Sequence, residues 1–238
     1  MSRLEERLLV IEGLDGSCKG TVCKEIQKRF SSRKIFLHKF PTNQKINETI
    51  IDLKKEIKRY PDTYDIEKIS YHEEIFVGTL KVSVANLFFI DQVLGEDKLA
   101  MEHECDEEDL ILCDRFWHSN ICYQEPLLSE VEHTHLVDHI HDSCITPANM
   151  IFLDVDPRTG IQRVIDRLAK EDPEFVGKVD ENAVEYLTRV RDNYFDLFGK
   201  MNTNVYILNA DEPINIVLDR ATNIVEDILE LEDYKFKY

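Results

Sequence analysis

The chain has 238 residues and a formal net charge of −18, with eight glycines, seven prolines and six cysteines. So acidic a protein lacks the basic face that nucleic acid backbones and anionic membranes require, which sets both aside as partners. No Ser/Gly/Pro-rich linker, repeat or low-complexity tract divides it, so one domain over 1–238 is expected. Met1–Arg7 mixes two arginines and two glutamates ahead of a short apolar run, unlike a signal or transit peptide. No apolar stretch reads as membrane-spanning, and cysteines at 18, 23, 105, 113, 122 and 144 without a C-x-x-C pair suit reduced thiols. A cytoplasmic protein without disulfides is the expectation.

In chain order, the first expected element is a strand on the apolar run Leu8–Ile11, followed by a loop and a helix over Thr21–Arg29 with Val22, Ile26 and Phe30 at helical spacing. The stretch between them, Gly13-Leu-Asp-Gly-Ser-Cys-Lys-Gly-Thr21, has the layout of a phosphate-binding loop. In G-x-x-x-x-G-K-[ST] the backbone N–H groups wrap the phosphates, the lysine reaches the outer ones, and the hydroxyl holds Mg²⁺. Gly13 and Lys19 fit, whereas Cys18 replaces the second glycine and Gly20 replaces the hydroxyl, with Thr21 one position late.

Lys34–Phe40 reads as a second strand stopped by Pro41, 44–59 as a lysine-rich amphipathic helix, and Tyr64–Leu94 as a long apolar helix or helix pair beyond the Pro61-Asp62 step. The acidic run Cys105–Asp109 reads as a solvated turn before a strand at Leu110–Cys113, the alternative being a metal or effector site. Residues 117–144 are helical in pattern. They contain His133, His135, His139, His141, Asp138, Asp142 and Cys144, and although His135 and His139 have the i, i+4 spacing of a zinc pair, no third ligand stands at a set distance. Met150–Asp154 is a further buried strand, Pro157–Glu171 and Val179–Phe198 are helices, Val205–Leu208 is the last strand and Pro213–Leu231 the closing helix. Between the two helices lies a segment, about 168–180, of the kind that serves as a lid. The alternation of strands and helices gives an α/β fold with a parallel sheet.

The motif E-G-L-D-G-x-x-K-x-T, with Phe40-Pro41, Asp114-Arg115-Phe-Trp-His-Ser119, Phe152-Leu-Asp-Val-Asp-Pro157, Arg189-Val-Arg191 and Asn209-Ala-Asp211 following in order, resembles the thymidylate kinase family of nucleoside monophosphate kinases. The resemblance covers roughly residues 6 to 230. It implies a P-loop kinase fold, a parallel sheet of about five strands with helices on both faces, ATP as phosphate donor, Mg²⁺, and a homodimer formed through the long helices. The Asp-Arg-Phe-Trp-His-Ser step is also similar to that of the thymidylate-kinase-like domain of mitochondrial UMP–CMP kinase.

Residue roles follow from the resemblance. The donor site would comprise Gly13, Gly16, Ser17, Cys18, Lys19, Gly20, Thr21, Arg163 and Ala210, the last where the donor adenine rests. Lys19, Asp114, Arg115 and Arg167 would carry catalysis, Arg115 gripping the acceptor phosphate and Asp114 lying by the metal through water, with Thr21 as an alternative hydroxyl. Asp15 would accept the sugar 3′-hydroxyl, and Phe40, Lys45, Asn86, Arg115, Ser119, Tyr123 and Gln124 would complete the acceptor site. Arg189 and Arg191 would clamp phosphates from the lid helices. Two departures bear on the acceptor. Phe40-Pro41 runs into Thr42-Asn-Gln-Lys45 where the family has an arginine, and Val84-Ala-Asn-Leu-Phe88 has leucine where a family arginine reads thymine. The expected reaction is transfer from ATP to a pyrimidine (deoxy)nucleoside monophosphate, dTMP first. UMP, CMP or dUMP kinase, or a pseudokinase with a degenerate loop, are the alternatives.

Overall fold

The computed structural model describes residues 3–57, 59, 71–103, 110–172 and 174–235. It contains two compact units: Met1–His38, Asp106–Arg115 and Thr146–Tyr238 make the first, and Lys39–Cys105 with Phe116–Ile145 the second. The expected steps at Pro61-Asp62 and Cys105–Asp109 lie outside the described residues.

The first unit is built on a five-stranded sheet of β1 (Leu8–Gly13), β2 (Ile35–Lys39), β3 (Leu110–Asp114), β4 (Asn149–Asp154) and β5 (Asn204–Asn209), in the order β2-β3-β1-β4-β5. β1 pairs in parallel with β3, Ile11 opposite Asp114, and with β4, Glu12 opposite Phe152; β4 pairs in parallel with β5. Every residue of β1 and β3 is buried. Both faces of the central strands are therefore covered, which explains why they read as unbroken apolar runs rather than alternating ones.

α1 (Arg3–Arg7) is one short helix that carried no pattern in the sequence. α2 (Lys19–Arg29) buries Val22, Cys23 and Ile26 and packs with the closing helix α9 (Ile214–Lys235). α7 (Pro157–Glu171) starts at the expected proline, with the Asp156 side chain accepting from Thr159 N. α8 (Glu181–Phe198) lays Tyr194 and Phe198 against Phe152 of β4, at ring separations of 4.9 and 5.0 Å, and the Tyr194 hydroxyl donates to buried Glu12 at 2.8 Å. The segment between α7 and α8 is irregular, with Val176 exposed at its tip.

The second unit is helical: α3 (Gln44–Ile57), α4 (Tyr71–His103), α5 (Trp117–Gln124) and α6 (Glu130–Ser143). The expected helical stretch 117–144 is broken. A single 3-10 turn, Glu125–Leu127, carries Pro126, and Ser129 then starts α6 with a capping box to Glu132. α4 corrects another expectation, because Phe76–Ala100 is long and apolar enough, by length and composition, to cross a membrane. Its carboxylates are nevertheless engaged within the unit. Asp91 accepts from the N–H groups of Thr42 and Asn43, both at 2.7 Å, and Glu96 from that of Ile145 at 2.8 Å. These bonds tie α4 to the segments before α3 and after α6.

Candidate active site

The loop between β1 and α2 turns through three positive-φ residues, Gly13, Gly16 and Cys18. A side chain at Gly16 would run into the backbone of Gly160 on α7, so the loop and α7 meet backbone to backbone. Cys18 sits at φ 69, ψ 21, the left-handed conformation that glycine would supply without strain. The loop therefore keeps its shape despite the substitution, at a cost of about 1–2 kcal/mol. The Cys18 thiol points back toward Gly16 O at 3.8 Å.

Lys19 opens α2 and folds into the loop, its Nζ donating to Leu14 O at 2.7 Å, Gly13 O at 2.9 Å and Ser17 Oγ at 3.3 Å. Burial, and then the nearby Arg115 cation, bring its pKa down to about 7, against the opposing pull of Asp15, Glu12 and Asp114. The ammonium thus sits at the helix N-terminus inside the ring of backbone groups where a phosphate would enter. At Gly20 a Cβ would meet only Asp114 Oδ2, at 3.9 Å. Position 20 therefore faces Asp114 across open space. Thr21, exposed, lies about 100° further round the helix.

β3 ends at buried Asp114, and Arg115 follows at φ 72, its N–H donating to Ile11 O at 3.1 Å. This is the carboxyl edge of a parallel sheet, where α/β folds bind ligands. The Arg115 guanidinium donates to Asp15 Oδ1 at 2.5 Å and to Gly13 O at 3.5 Å. The two residues assigned by resemblance to the acceptor's phosphate and sugar are thus paired with each other.

Arg163 of α7 donates to Ala210 O at 2.9 Å and Gly16 O at 3.4 Å, tying the loop to the step after β5. One turn on, Arg167 lines an open cleft of about 450 Å³ with Arg163, Asp166, Lys170 and Glu171. Arg189 lies on the exposed face of α8. Arg191, expected as a clamp, holds Asp154 through two bonds of 2.6 and 2.7 Å and stacks over Phe195 at 5.0 Å. The reason is local: Asp154 ends β4 with a carboxylate, and a guanidinium matches it bidentately.

In the second unit, buried Phe40 meets Phe116 edge to face at 5.5 Å. Asn43 Oδ1 accepts from Lys45 N and Ile46 N, which starts α3 and leaves Lys45 exposed in its first turn. On α5, Gln124 is buried while Ser119 and Tyr123 are half-buried. Asn86 is exposed on α4, and the neighbouring Leu87 is half-buried. The buried polar residues of that helix are Asp91, Gln92 and Glu96, which the sequence reading did not single out. Their signal was polar side chains at 92 and 96, one helical turn apart on α4. His118 and Asn120 of α5 were also missed. His118 is fully buried, stacked on Trp117 at 3.6 Å, and kept neutral chiefly by burial, its pKa well below the ordinary value. Of the α6 histidines, His139 lies against Phe89 and His141 against Trp117. Among the described residues no group of three His, Cys, Asp or Glu side chains is placed to hold a metal.

Residues 11–221 match the model of the thymidylate kinase family. A thymidylate kinase of Bacillus mycoides (strain KBAB4) is 23% identical over 230 residues, covering 93% of this chain and 97% of its own. One of Bacillus cereus (strain ATCC 10987 / NRS 248) is 26% identical over 125 residues, which span 52% of this chain and 58% of that relative. Among solved structures, a deoxyadenosine kinase from M. mycoides, described with products dCMP and a flexible dCDP bound, superposes with a TM-score of 0.56 at 15% identity. That match covers 92% of this chain and 99% of the other, and it establishes the fold.

Proposed function

The chain belongs to the thymidylate kinase family, and on that premise we propose that it transfers the γ-phosphate of ATP to a pyrimidine (deoxy)nucleoside monophosphate, dTMP being the acceptor of the relatives' name. The observation that carries this reading is Lys19 at the centre of the loop, with Asp114 and Arg115 arriving from the adjacent strand and Arg163 closing the loop from α7. Phosphoryl transfer asks little covalent work of a protein, so positioned cations supply most of the catalysis. Lys19 would leave its carbonyl partners for the donor phosphates. Arg115 would exchange Asp15 for the acceptor phosphate, freeing the Asp15 carboxylate for the sugar hydroxyl. Arg163 and Arg167 would neutralise the donor side, with Ala210 beneath the adenine. Ser119, Tyr123, Gln124, Phe40 and Lys45 would line the acceptor side.

Mg²⁺ fits what is present. Asp114 is a buried carboxylate facing open space at position 20, which suits an ion that keeps much of its water. Asp114 would hold it through water, and when bound it would supply positive charge to the donor phosphates. We read residues 1–238 as one cytoplasmic kinase domain with a lid at about 168–180. We also propose a homodimer, which the exposed Phe76, Ile90 and Leu94 of α4 support.

A coupled ADP-release assay with dTMP, dUMP, UMP and CMP tests the reaction. Turnover on at least one acceptor is expected, with Lys19→Ala and Arg115→Ala each lowering it by about tenfold or more. ADP release no faster than ATP hydrolysis without acceptor, for all four, would contradict it. A nucleotide-binding pseudokinase is the second reading, favoured by Cys18 at a glycine position and by the missing hydroxyl at Gly20.

A further inference from the structure

Asp and Glu outnumber Lys and Arg 47 to 29 over the whole chain, yet residues 24–34 reverse the balance, with Lys24, Lys28, Arg29, Arg33 and Lys34 against a single acid, Glu25. All five cations are exposed. Lys24 and Lys28 stand one turn apart on one face of α2. The helix ends at Phe30, whose N–H donates to Ile26 O at 3.0 Å, and a turn closed by Arg33 N to Phe30 O at 2.9 Å brings Arg33 and Lys34 to the start of β2. The protein does little to neutralise these charges. Glu25 approaches Lys28 at 3.7 Å and Asp219 of α9 approaches Arg29 at 3.5 Å, long pairs between exposed side chains that contribute little. Lys24 and Lys34 have no ion pair among the described residues. The negative end of the helix dipole accounts for Lys28 and Arg29 but not for Arg33 and Lys34, which follow the helix. Nor does the proposed reaction use them, because Arg29 stands about 15 Å along α2 from Lys19 and Arg33 and Lys34 lie beyond it.

β2 borders this cluster at the edge of the sheet, with no further strand beyond it among the described residues. Lys34 O accepts from Leu110 N at 3.2 Å, so the backbone groups of Lys34 and Phe36 point at β3 and those of Leu37, in the alternate register, point away from it. The Leu37 side chain is exposed as well. Cations beside a sheet edge discourage indiscriminate pairing and admit a strand of opposite charge. We infer that the end of α2 and the edge of β2 form a docking surface for an extended acidic segment of a partner protein, with carboxylates for the cations and an apolar side chain for Leu37. Charge complementarity selects this occupant. A peptide brings its acids as a short local run, whereas nucleic acid or an anionic membrane must bring extended negative charge up to a protein of net charge −18.

Fluorescence anisotropy of the full-length protein with a labelled peptide of alternating glutamate and leucine tests this. Alternating glutamine and leucine, alternating lysine and leucine, and a single-stranded oligonucleotide are the other probes, with co-sedimentation on phosphatidylserine vesicles alongside. The acidic peptide should bind at least about tenfold more tightly than the other two peptides, more weakly as salt rises, and equally with or without saturating ATP. The double variant Arg33→Glu/Lys34→Glu should lower that affinity by about tenfold or more, and so should Lys24→Glu/Lys28→Glu. Either suffices if the other fails to fold. Equal affinities for the three peptides, displacement of the acidic peptide by ATP, or undiminished affinity in a folded variant would each overturn the inference. Tighter binding of the oligonucleotide or the vesicles, lost in the variants, would overturn it in favour of those ligands, and salt-sensitive self-association lost in the variants would overturn it in favour of a second copy of the chain.

Discussion

At position 18 a thiol-bearing residue occupies a backbone conformation that glycine adopts freely, and at position 20 glycine stands where a hydroxyl would face Asp114. Cys18→Gly should therefore raise stability by up to about 1 kcal/mol in urea denaturation, the relief of left-handed strain less the extra freedom glycine gives the unfolded chain. A destabilised variant would show that the thiol's contact with Gly16 O outweighs the strain. Lys19 supports a second prediction. With its pKa near 7 in the unliganded loop, it is largely neutral above that pH, and polyphosphate binding must restore its proton. ATP affinity should then fall as pH rises from 7 to 9, by up to about tenfold per unit, with proton uptake visible as a dependence of binding enthalpy on buffer. Affinity that is flat across this range, with no buffer dependence, would contradict it. That Lys19 opens a helix after the loop and that Asp114 and Arg115 stand at a strand end was legible in the sequence, because a glycine loop and a buried apolar run fix where those backbones go. The Arg191–Asp154 pair was not, since nothing along the chain says which carboxylate will stand opposite a guanidinium thirty-seven positions away.

Among the elements, α4 depends most on a few polar side chains. Asp91 holds the turn that launches α3, and Glu96 ties α4 to the segment after α6, whose Ile145 also accepts from Trp117 Nε1 at 2.8 Å. Burial raises the Glu96 pKa from 4.5 to about 7, against hydrogen bonds from Gln92, Ile145 and Cys144 that lower it. Because the folded value lies above the unfolded one, the native state binds the extra proton between these pH values. The stabilisation is complete below about 4.5 and is lost as pH rises through 7, by at most about 3 kcal/mol. Denaturation midpoints of wild type should thus decline between pH 5 and 7.5 relative to those of Glu96→Gln, which cannot titrate there. Parallel profiles for the two proteins would place the titration elsewhere. The five strands and the main helices of the first unit were readable because buried parallel strands and amphipathic helices carry strong periods. The break between α5 and α6 was equally written, in Pro126 and the Ser129/Glu132 box, but the helical pattern read across 117–144 overrode it. In α4 the near-uniform apolarity concealed which face is buried, so buried Asp91, Gln92 and Glu96 were not singled out.

For the molecule as a whole, the net charge is −18, and four cations of the first unit are held by the protein: Lys19 by carbonyls, Arg115 by Asp15, Arg163 by Gly16 and Ala210, Arg191 by Asp154. The central claim is that this machinery transfers phosphate despite its altered loop. Chromatographic measurement of nucleoside diphosphate formed from ATP and a pyrimidine monophosphate, with and without Mg²⁺, tests it most directly. It would be run on wild type, on the double variant Cys18→Gly/Gly20→Thr, for which position 20 has room, and on Lys19→Ala. The account predicts Mg²⁺-dependent diphosphate from wild type, more from the double variant, and at least about tenfold less from Lys19→Ala. No diphosphate from any of the three, in proteins that still bind ATP, would contradict it and leave a nucleotide-binding protein in its place.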